Sequence, residues 1–275
     1  MPDDKKTYYI HGSHPEEQER LSRLNVILNK RYIQEMALKG GETILDVGSG
    51  LGQFTRLMAR TTGGKAKVLG IERDPDQIIT AQQLAIADKE EELVEYRQGD
   101  AMHLPLQKEE WNSFDIAHTR FLLEHISKPE QVIQQMLQAV KPGGRVILSD
   151  DDHATFMPTP EPAGFSTIWQ AYLRSYDRMG NDPYIGRRLV ILLHQAGAKN
   201  IQNTVVFFGG CAHESIFTYV ADNLIGILMG AKELMLREQL IEPYTFDQAI
   251  QGLYNWKKQP DAALWYGICW AEGIK

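Results

Sequence analysis

The sequence predicts an α/β fold in which helices cover both faces of a mostly parallel sheet. Two observations indicate it. From residue 43 to residue 150, short apolar runs alternate with segments whose apolar residues recur at helical spacing. The apolar runs end at glycines, prolines or acidic residues, as buried strands commonly do. Such alternation of strands and helices is typical of parallel sheets. A chain of 275 residues that is 43% hydrophobic can bury a sizeable core, as one large domain or two small ones.

The elements follow from local signals. Amphipathic helix covers much of 17–38, and Gly40 and Gly41 end it. Asp74 and Pro75 open a later helix as N-cap and first helical residue, and Ser127 to Glu130 fits a capping box. The alternating region is predicted as strands at 43–47, 67–72, 94–98, 114–118 and 145–150, with helices at 53–60, 74–87 and 127–140.

The regular alternation stops after Asp150. We predict helices at 167–178 and 185–195, a strand at 201–208, mostly helix over 213–258 and a last strand at 263–272. The predicted organisation is an N-terminal helical lid over 1–40 and a core over 41–275, with inserts at about 154–186 and 211–260. These inserts follow the fifth and sixth strands. Because ligands bind beyond the carboxyl ends of strands in open α/β folds, we expect the inserts to cap the active site.

Composition and charge indicate which partners and which cellular compartment to expect. The formal net charge is -7 and no long basic block occurs, so we expect no nucleic-acid partner. Cys211 and Cys269 lie far apart in the sequence, which suggests a reducing compartment. The first residues lack the apolar stretch of a signal peptide, and the longest apolar segment, near 224–229, is too short to span a membrane. We therefore expect a cytoplasmic protein with no membrane partner.

A glycine-rich turn is the strongest local motif. Gly48, Gly50 and Gly52 directly follow the first strand, and Asp46 lies at that strand's end. Such a turn presents backbone N–H groups and a helix N-terminus to a polar ligand. Taken alone, the stretch also fits a tight turn without a ligand.

Two further acids follow neighbouring strands. Glu72 comes 24 residues after Gly48, the offset expected for an acid that binds a ribose diol through both carboxylate oxygens. A surface acid that caps the next helix is the alternative, but Asp74 is the better cap. Asp100 follows the third strand, where it is placed to accept from an adenine amino group; an ordinary turn residue is the alternative.

In combination these motifs resemble those of the class I S-adenosylmethionine-dependent methyltransferases, more narrowly the small-molecule group of the ubiquinone/menaquinone-biosynthesis type. The matching residues are Leu45-Asp-Val-Gly-Ser-Gly-Leu-Gly52, Glu72, Gly99-Asp-Ala-x-x-Leu-Pro105, Leu123-Glu-His-Ile126 and Lys141-Pro-Gly-Gly-Arg-Val146. The resemblance covers 43–150. It implies a Rossmann-like sheet of seven strands with the last one antiparallel, S-adenosylmethionine as cofactor and S-adenosylhomocysteine as product. We expect no metal, because consecutive residues at a strand end, such as those at 150–152, point in different directions.

The resemblance also implies a set of cofactor-binding residues. Asp46 would place the methionine amino group, Glu72 the ribose hydroxyls and Asp100 the adenine. Tyr9 belongs to a weaker N-terminal match that would form a lid, and a plain amphipathic helix is the alternative there. The full set is Tyr9, Asp46, Gly48, Ser49, Gly50, Gln53, Glu72, Arg73, Gln77, Gly99, Asp100, Ala101, Thr119 and Arg120.

The catalytic candidates are His153, Asp151 and Arg120. Methyl transfer from a sulfonium is an in-line displacement, so positioning is the main task, and a hydroxyl acceptor also needs a base. His153, just beyond the fifth strand, is the leading base candidate. The acids at 150–152 beside it raise a metal site as an alternative, since hard cations prefer oxygen ligands. A charged loop with one carboxylate near the cofactor is the simpler interpretation.

The acceptor is expected to be a small molecule, apolar or aromatic in part, because aromatic residues are frequent in both inserts. Those residues also fit the core of the insert helices. The helix near 224–236 fits a homodimer face equally well. The competing functions are a methyltransferase acting on protein or RNA, and a nucleotide-binding oxidoreductase or a cofactor-binding module without methyl transfer. The spacing of the three glycines and the presence of Asp100 disfavour the oxidoreductase.

Overall fold

The computed structural model describes residues 28–64 and 67–275. The chain divides into two compact units. The core unit comprises Leu28–Asp151, Ile185–Val206 and Ile268–Lys275. The second unit includes Asp152–Tyr184 and Phe207–Gly267. Most of the predicted lid, residues 1–27, lies outside the described residues, and the closure of a lid or insert over the site stays a prediction.

The core unit contains a seven-stranded sheet. Its strands, given in their order across the sheet, are β3 (Val94–Gln98), β2 (Val68–Glu72), β1 (Ile44–Val47), β4 (Phe114–Arg120), β5 (Val140–Asp150), β10 (Gly267–Ile274) and β7 (Lys199–Phe207). The four pairings among the first five strands are parallel, and β10 runs antiparallel to β5. The predicted fold class, with its last strand antiparallel, is confirmed.

Helices cover the two faces of this sheet. They are α1 (28–36), α2 (Gln53–Thr61), α3 (Pro75–Ala87), α4 (Pro129–Ala139) and α6 (Leu189–Ala196). Alternate residues of a strand point to opposite faces, and β1 shows this directly. Leu45 and Val47 join the apolar cluster that contains the buried residues of α4 and α6. Asp46 points the other way, where Thr55 of α2 hydrogen-bonds to it.

The second unit is built from helices and a small sheet. Its helices are α5 (Phe165–Met179), α7 (Ser215–Gly230), α8 (Lys232–Arg237) and α9 (Pro243–Trp256), and its sheet has the order β6 (Met157–Thr159), β9 (Ala263–Trp265) and β8 (Gly210–Cys211). Stacked aromatic rings hold it together: Phe156 and Trp169 lie 4.7 Å apart between ring centroids, and Trp169 and Tyr172 lie 5.2 Å apart. Buried aromatic residues of this unit include Phe156, Phe165, Trp169, Tyr172, Tyr176, Phe208 and Phe217. They form core, whereas Phe207 and Tyr219 are exposed.

Two local predictions were wrong. The single strand predicted at 263–272 is two strands, β9 and β10, which pair in different sheets on either side of Tyr266. The capping box at Ser127 does not form: Lys128 is the N-cap of α4 and contributes no side-chain hydrogen bond there.

In the part of the chain that is described, no helix is both long enough and apolar enough to cross a membrane.

Candidate active site

The glycine turn connects β1 to α2 in a conformation that only glycine adopts easily. Gly48, Gly50 and Gly52 have φ values of 78°, 54° and 68°. The N–H groups of Gly48 and Ser49 both donate to the carbonyl oxygen of Ile71 on β2, at 2.8 and 3.0 Å. A Cβ on Gly52 would lie 2.0 Å from the Tyr96 hydroxyl oxygen, so any larger residue there would require Tyr96 to move. The turn is thereby fixed against the end of the neighbouring strand.

Glu72 ends β2 and faces this turn. Its Oε2 accepts the Gly50 N–H at 3.0 Å, while its Oε1 accepts the N–H groups of Arg73 and Asp74 at 2.8 and 3.0 Å. An ionised carboxylate has about four acceptor positions. Three are used by backbone, and the remaining one is on Oε2. The side chain is partly buried, as expected of a group that holds a turn and still reaches a ligand.

Asp46 is buried beneath the turn, with 4% of its surface exposed. Its Oδ1 accepts from Nδ1 of His118 at 2.8 Å, and its Oδ2 accepts from the Thr55 hydroxyl at 2.6 Å. Each oxygen retains one acceptor position. Asp46 therefore has the capacity to receive a cationic amino group, and its orientation is set by two neighbours.

The end of β3 carries Gly99, Asp100 and Ala101. A Cβ on Gly99 would lie 2.4 Å from Pro105, so the chain packs tightly there. Asp100 is exposed, its Oδ1 accepts the Met102 N–H at 2.8 Å, and among the described residues no group hydrogen-bonds to its Oδ2. Its carboxylate has free acceptor capacity, as contact with an amino group requires.

The end of β4 carries Thr119 and Arg120. The Thr119 side chain is buried, and its hydroxyl donates to the carbonyl oxygen of Val47 at 2.8 Å, so it links β4 to β1. The Arg120 guanidinium carbon lies 4.7 Å from the Tyr32 ring centroid and 4.6 Å from that of Phe54. Its Nη1 donates to Oδ1 of Asn29 at 3.0 Å. Burial lowers the pKa of Arg120 below its usual value, although an arginine stays charged there.

The remaining cofactor candidates occupy nearby positions. Gln53 is the first residue of α2. The side-chain oxygen of Gln77 would lie 3.4 Å from a Cβ on Gly50, so it faces the turn. Arg73 is exposed and its carbonyl oxygen accepts from the side chain of Gln98 at 3.3 Å. Tyr9 lies outside the described residues.

The acids at 150–152 are largely engaged in local structure. Oδ2 of Asp150 accepts the Leu123 N–H at 2.8 Å, and its Oδ1 accepts the Asp151 N–H at 3.0 Å. Burial, together with Glu124 and Asp151, raises the pKa of Asp150 well above its usual value. In the second unit, Asp152 accepts the Ala154 N–H and caps a short 3₁₀ turn. Asp150 and Asp152 thus have structural partners, and a role for Asp151 in catalysis stays a prediction.

His153 lies in the aromatic core of the second unit, with 5% of its surface exposed. Its Nε2 is 3.0 Å from the Tyr176 hydroxyl and its Nδ1 is 3.3 Å from the Tyr266 hydroxyl. The hydroxyls of Tyr172 and Tyr176 are 3.1 Å apart. A base must reach the proton that it removes. Because both ring nitrogens already have phenol partners, His153 would exchange a proton with an acceptor through one of these hydroxyls.

The core-unit residues fit the adenosyl cofactor that the motifs imply. Asp46, Glu72 and Asp100 lie at or next to the carboxyl ends of three adjacent strands, and each retains acceptor capacity for an amino group or a hydroxyl. The buried Ser49 hydroxyl beside the turn has no hydrogen-bond partner within the described part of the chain. A polar ligand at the turn would supply one.

Sequence reasoning missed two residues that shape this site. His118 lies opposite Asp46 in the register of β4 with β1, and Thr55 lies one turn into α2. A histidine directly after the apolar residues Ile116 and Ala117 of a strand is a weak signal that was available. Its contact with Asp46 was not, because it depends on the alignment of two strands about seventy residues apart.

The known proteins that resemble this chain are methyltransferases. Residues 38–178 match the model of a methyltransferase domain family. Demethylmenaquinone methyltransferase of Desulfitobacterium hafniense is 27% identical over 74% of this chain and 78% of the relative. The 27-O-demethylrifamycin SV methyltransferase of Amycolatopsis mediterranei is 30% identical over 56% of this chain and 53% of the relative.

Among solved structures, phosphoethanolamine N-methyltransferase 2 of Haemonchus contortus, determined with S-adenosyl-L-methionine, aligns with a TM-score of 0.60. The alignment covers 99% of this chain and 58% of that enzyme at 16% identity, so it shows the shared fold. The family match spans more than half of the chain and includes the glycine turn, Glu72, Asp100 and Arg120. The chain therefore belongs to the methyltransferase domain family and is an S-adenosylmethionine-dependent methyltransferase.

Proposed function

We propose that the protein methylates a small molecule that is apolar or aromatic in part, and that the cofactor binds at the carboxyl ends of β1 to β4. The observation that supports this most is the arrangement of Glu72, whose carboxylate holds the Gly50 N–H and keeps one acceptor position. This arrangement suits a ribose hydroxyl beside a bare backbone turn. Asp46 and Asp100 would then receive the methionine amino group and the adenine amino group.

The chemistry asks the protein mainly for alignment. The bound cofactor supplies an electrophilic methyl group on a sulfonium, and the thioether that leaves is neutral, so no acid is needed. Arg120, held between two aromatic rings, is our candidate for a contact with a carboxylate of the cofactor or the acceptor. Its fixed guanidinium would orient that carboxylate and so support in-line geometry. The rings of Tyr32 and Phe54 limit its motion.

A hydroxyl acceptor would need a base as well as alignment. We propose His153 for that role, acting through the Tyr176 hydroxyl, which lies 3.0 Å from Nε2. An amine acceptor would need no such group, because a neutral amine is already nucleophilic.

The test is a methyl-transfer assay with radiolabelled S-adenosylmethionine. Its acceptors form a panel based on the substrates for which the similar proteins are named. The panel contains a demethylated naphthoquinol, a polyketide with a free hydroxyl such as the rifamycin precursor, and phosphoethanolamine. We expect label to move to the apolar, ring-containing acceptors and not to phosphoethanolamine. Transfer to phosphoethanolamine alone would contradict the proposed acceptor class. Transfer to a protein or RNA, and to none of the panel, would favour the macromolecular alternative.

A further inference from the structure

His118 is a buried histidine within β4, next to the buried residues Ala117 and Thr119. It lies on β4 directly opposite Asp46 on β1, and aligned residues of neighbouring parallel strands point to the same face. The two side chains therefore meet, with Nδ1 of His118 at 2.8 Å from Oδ1 of Asp46. His118 is 1% exposed.

Asp46 is held at both of its oxygens. His118 binds Oδ1, and the Thr55 hydroxyl binds Oδ2 at 2.6 Å. Rotation of the Asp46 carboxylate about the Cβ–Cγ bond would break both hydrogen bonds. The two acceptor positions that remain on Asp46 therefore point in fixed directions.

The other nitrogen of His118 indicates what this histidine is for. Because a carboxylate accepts hydrogen bonds, Nδ1 carries the hydrogen of the contact with Asp46, and Nε2 is left as the other polar atom of the ring. Nε2 is buried and has no hydrogen-bond partner in the described residues, and the Phe54 ring centroid lies 5.0 Å from that of His118. An unpaired buried polar atom opposes folding. Replacing a buried polar pair by apolar residues often leaves the stability of a protein unchanged or raises it. If the pair of His118 and Asp46 served stability alone, a histidine would therefore not be needed at this position.

We propose that His118 is a positioning residue: through Nδ1, and together with Thr55, it orients Asp46 toward the amino group of the methionine part of the cofactor. This inference rests on the proposed cofactor site. The amino group is present in S-adenosylhomocysteine and absent from methylthioadenosine, which keeps the adenine and the ribose. His118 is thus expected to matter for the first ligand and not for the second.

The experiment measures the dissociation constants of both ligands by calorimetry on the full-length protein. His118→Leu removes the donor, and we expect the affinity for S-adenosylhomocysteine to fall about tenfold or more. The affinity for methylthioadenosine should change by less than about threefold. His118→Asn retains an N–H donor on a short side chain and should recover most of the lost affinity. In an Asp46→Asn background, His118→Leu should add little further loss, because its effect passes through Asp46.

Thr62→Ala is the matched control, since it removes another buried polar group of the core unit, one whose hydroxyl donates to the carbonyl oxygen of Ala59 near the end of α2. It should lower the melting temperature and leave the ratio of the two dissociation constants unchanged. If His118→Leu weakens both ligands equally, or neither, the positioning role is wrong while the cofactor site stands. If the unmodified protein binds no S-adenosylhomocysteine, the proposed site fails and the inference fails with it.

Discussion

Glu72 accepts the backbone N–H of Gly50 at 3.0 Å, which ties the end of β2 to the turn after β1. The same carboxylate accepts two N–H groups at the start of the next loop, from Arg73 and Asp74. One side chain thus fixes the backbone on both sides of the expected ribose position. Its acceptor capacity is mostly used before any ligand arrives, so its contribution to cofactor affinity combines direct contact with the shape of the turn.

Replacing Glu72 by alanine is expected to weaken S-adenosylhomocysteine binding by about tenfold or more, since hydrogen bonds to a charged group contribute about 1.5–3 kcal/mol each. Glu72→Gln keeps one acceptor oxygen and should lose less. Calorimetry measures both. Asp74→Ala is the control, because Asp74 caps α3 by accepting the Asp76 N–H and should affect stability by about 1 kcal/mol without changing affinity. Unaltered affinity in Glu72→Ala would refute the assignment of the ribose contact.

Two glycine substitutions separate two ways of lowering the free energy of unfolding: side-chain overlap and an unfavourable left-handed backbone. Gly63 has φ of 78° and open space for 4 Å around the position that a Cβ would take, whereas Gly52 has φ of 68° and its Cβ would meet the Tyr96 hydroxyl. Gly63→Ala should cost about 1–2 kcal/mol from the left-handed conformation alone. Gly52→Ala should cost about 1–3 kcal/mol more, from overpacking.

Urea denaturation of both variants gives these differences. The cost of Tyr96→Ala should be smaller in the Gly52→Ala background than in the unmodified protein, since the two residues are in contact. Equal destabilisation by the two glycine substitutions would show that Tyr96 moves aside freely.

The sequence predicted where Glu72 and Asp100 lie in the sheet, because each position depends on local signals in the chain. Glu72 and Asp100 follow strands at recognisable offsets from the glycine turn, and the structure puts both at the expected sheet edge. The pairing of His118 with Asp46 depends on the register of two distant strands, which no local pattern specifies. The change from β9 to β10 at Tyr266 was missed for the same reason: β propensity continues through the segment, and only the tertiary partners differ.

The raised pKa of Asp150 leads us to expect that the stability of the protein depends on pH. Burial, Glu124 and Asp151 raise its pKa in the folded state above the value of about 4 in an unfolded chain. Between these two pKa values the folded protein holds a proton that the unfolded chain has released. The free energy of unfolding therefore decreases as the pH rises through this interval. Asp150→Asn should show a smaller decrease, measured by urea denaturation from about pH 4 to about pH 8.

Asp115→Asn is the control for that experiment. Burial opposes the ionised form of Asp115, but hydrogen bonds from Lys141 and Thr43 outweigh it and lower the pKa. Its contribution to stability is present above the unfolded pKa and is lost as the pH falls. Removing it should leave the decrease at rising pH in place. An Asp150→Asn variant with the same pH profile as the unmodified protein would contradict the assigned origin of that decrease.

His153→Ala is expected to slow methyl transfer to a hydroxyl acceptor more than it weakens S-adenosylhomocysteine binding, because a general base contributes about a hundredfold or more to such a step. Tyr176→Phe should slow transfer as well if the proton passes through that hydroxyl, whereas Tyr266→Phe should matter less. Single-turnover rates with an acceptor from the panel, paired with calorimetry, provide both quantities. An unchanged rate in His153→Ala would remove it from the mechanism and leave it as part of the aromatic core.

The central claim is that the carboxylates of Asp46, Glu72 and Asp100, beside the glycine turn, bind an adenosyl sulfonium cofactor. Its most direct test is a calorimetric titration of the unmodified protein with S-adenosylmethionine, S-adenosylhomocysteine and NAD. We predict saturable one-to-one binding of the first two and none of NAD. Saturable binding of NAD, or no binding of either adenosyl compound at millimolar concentration, would contradict the claim.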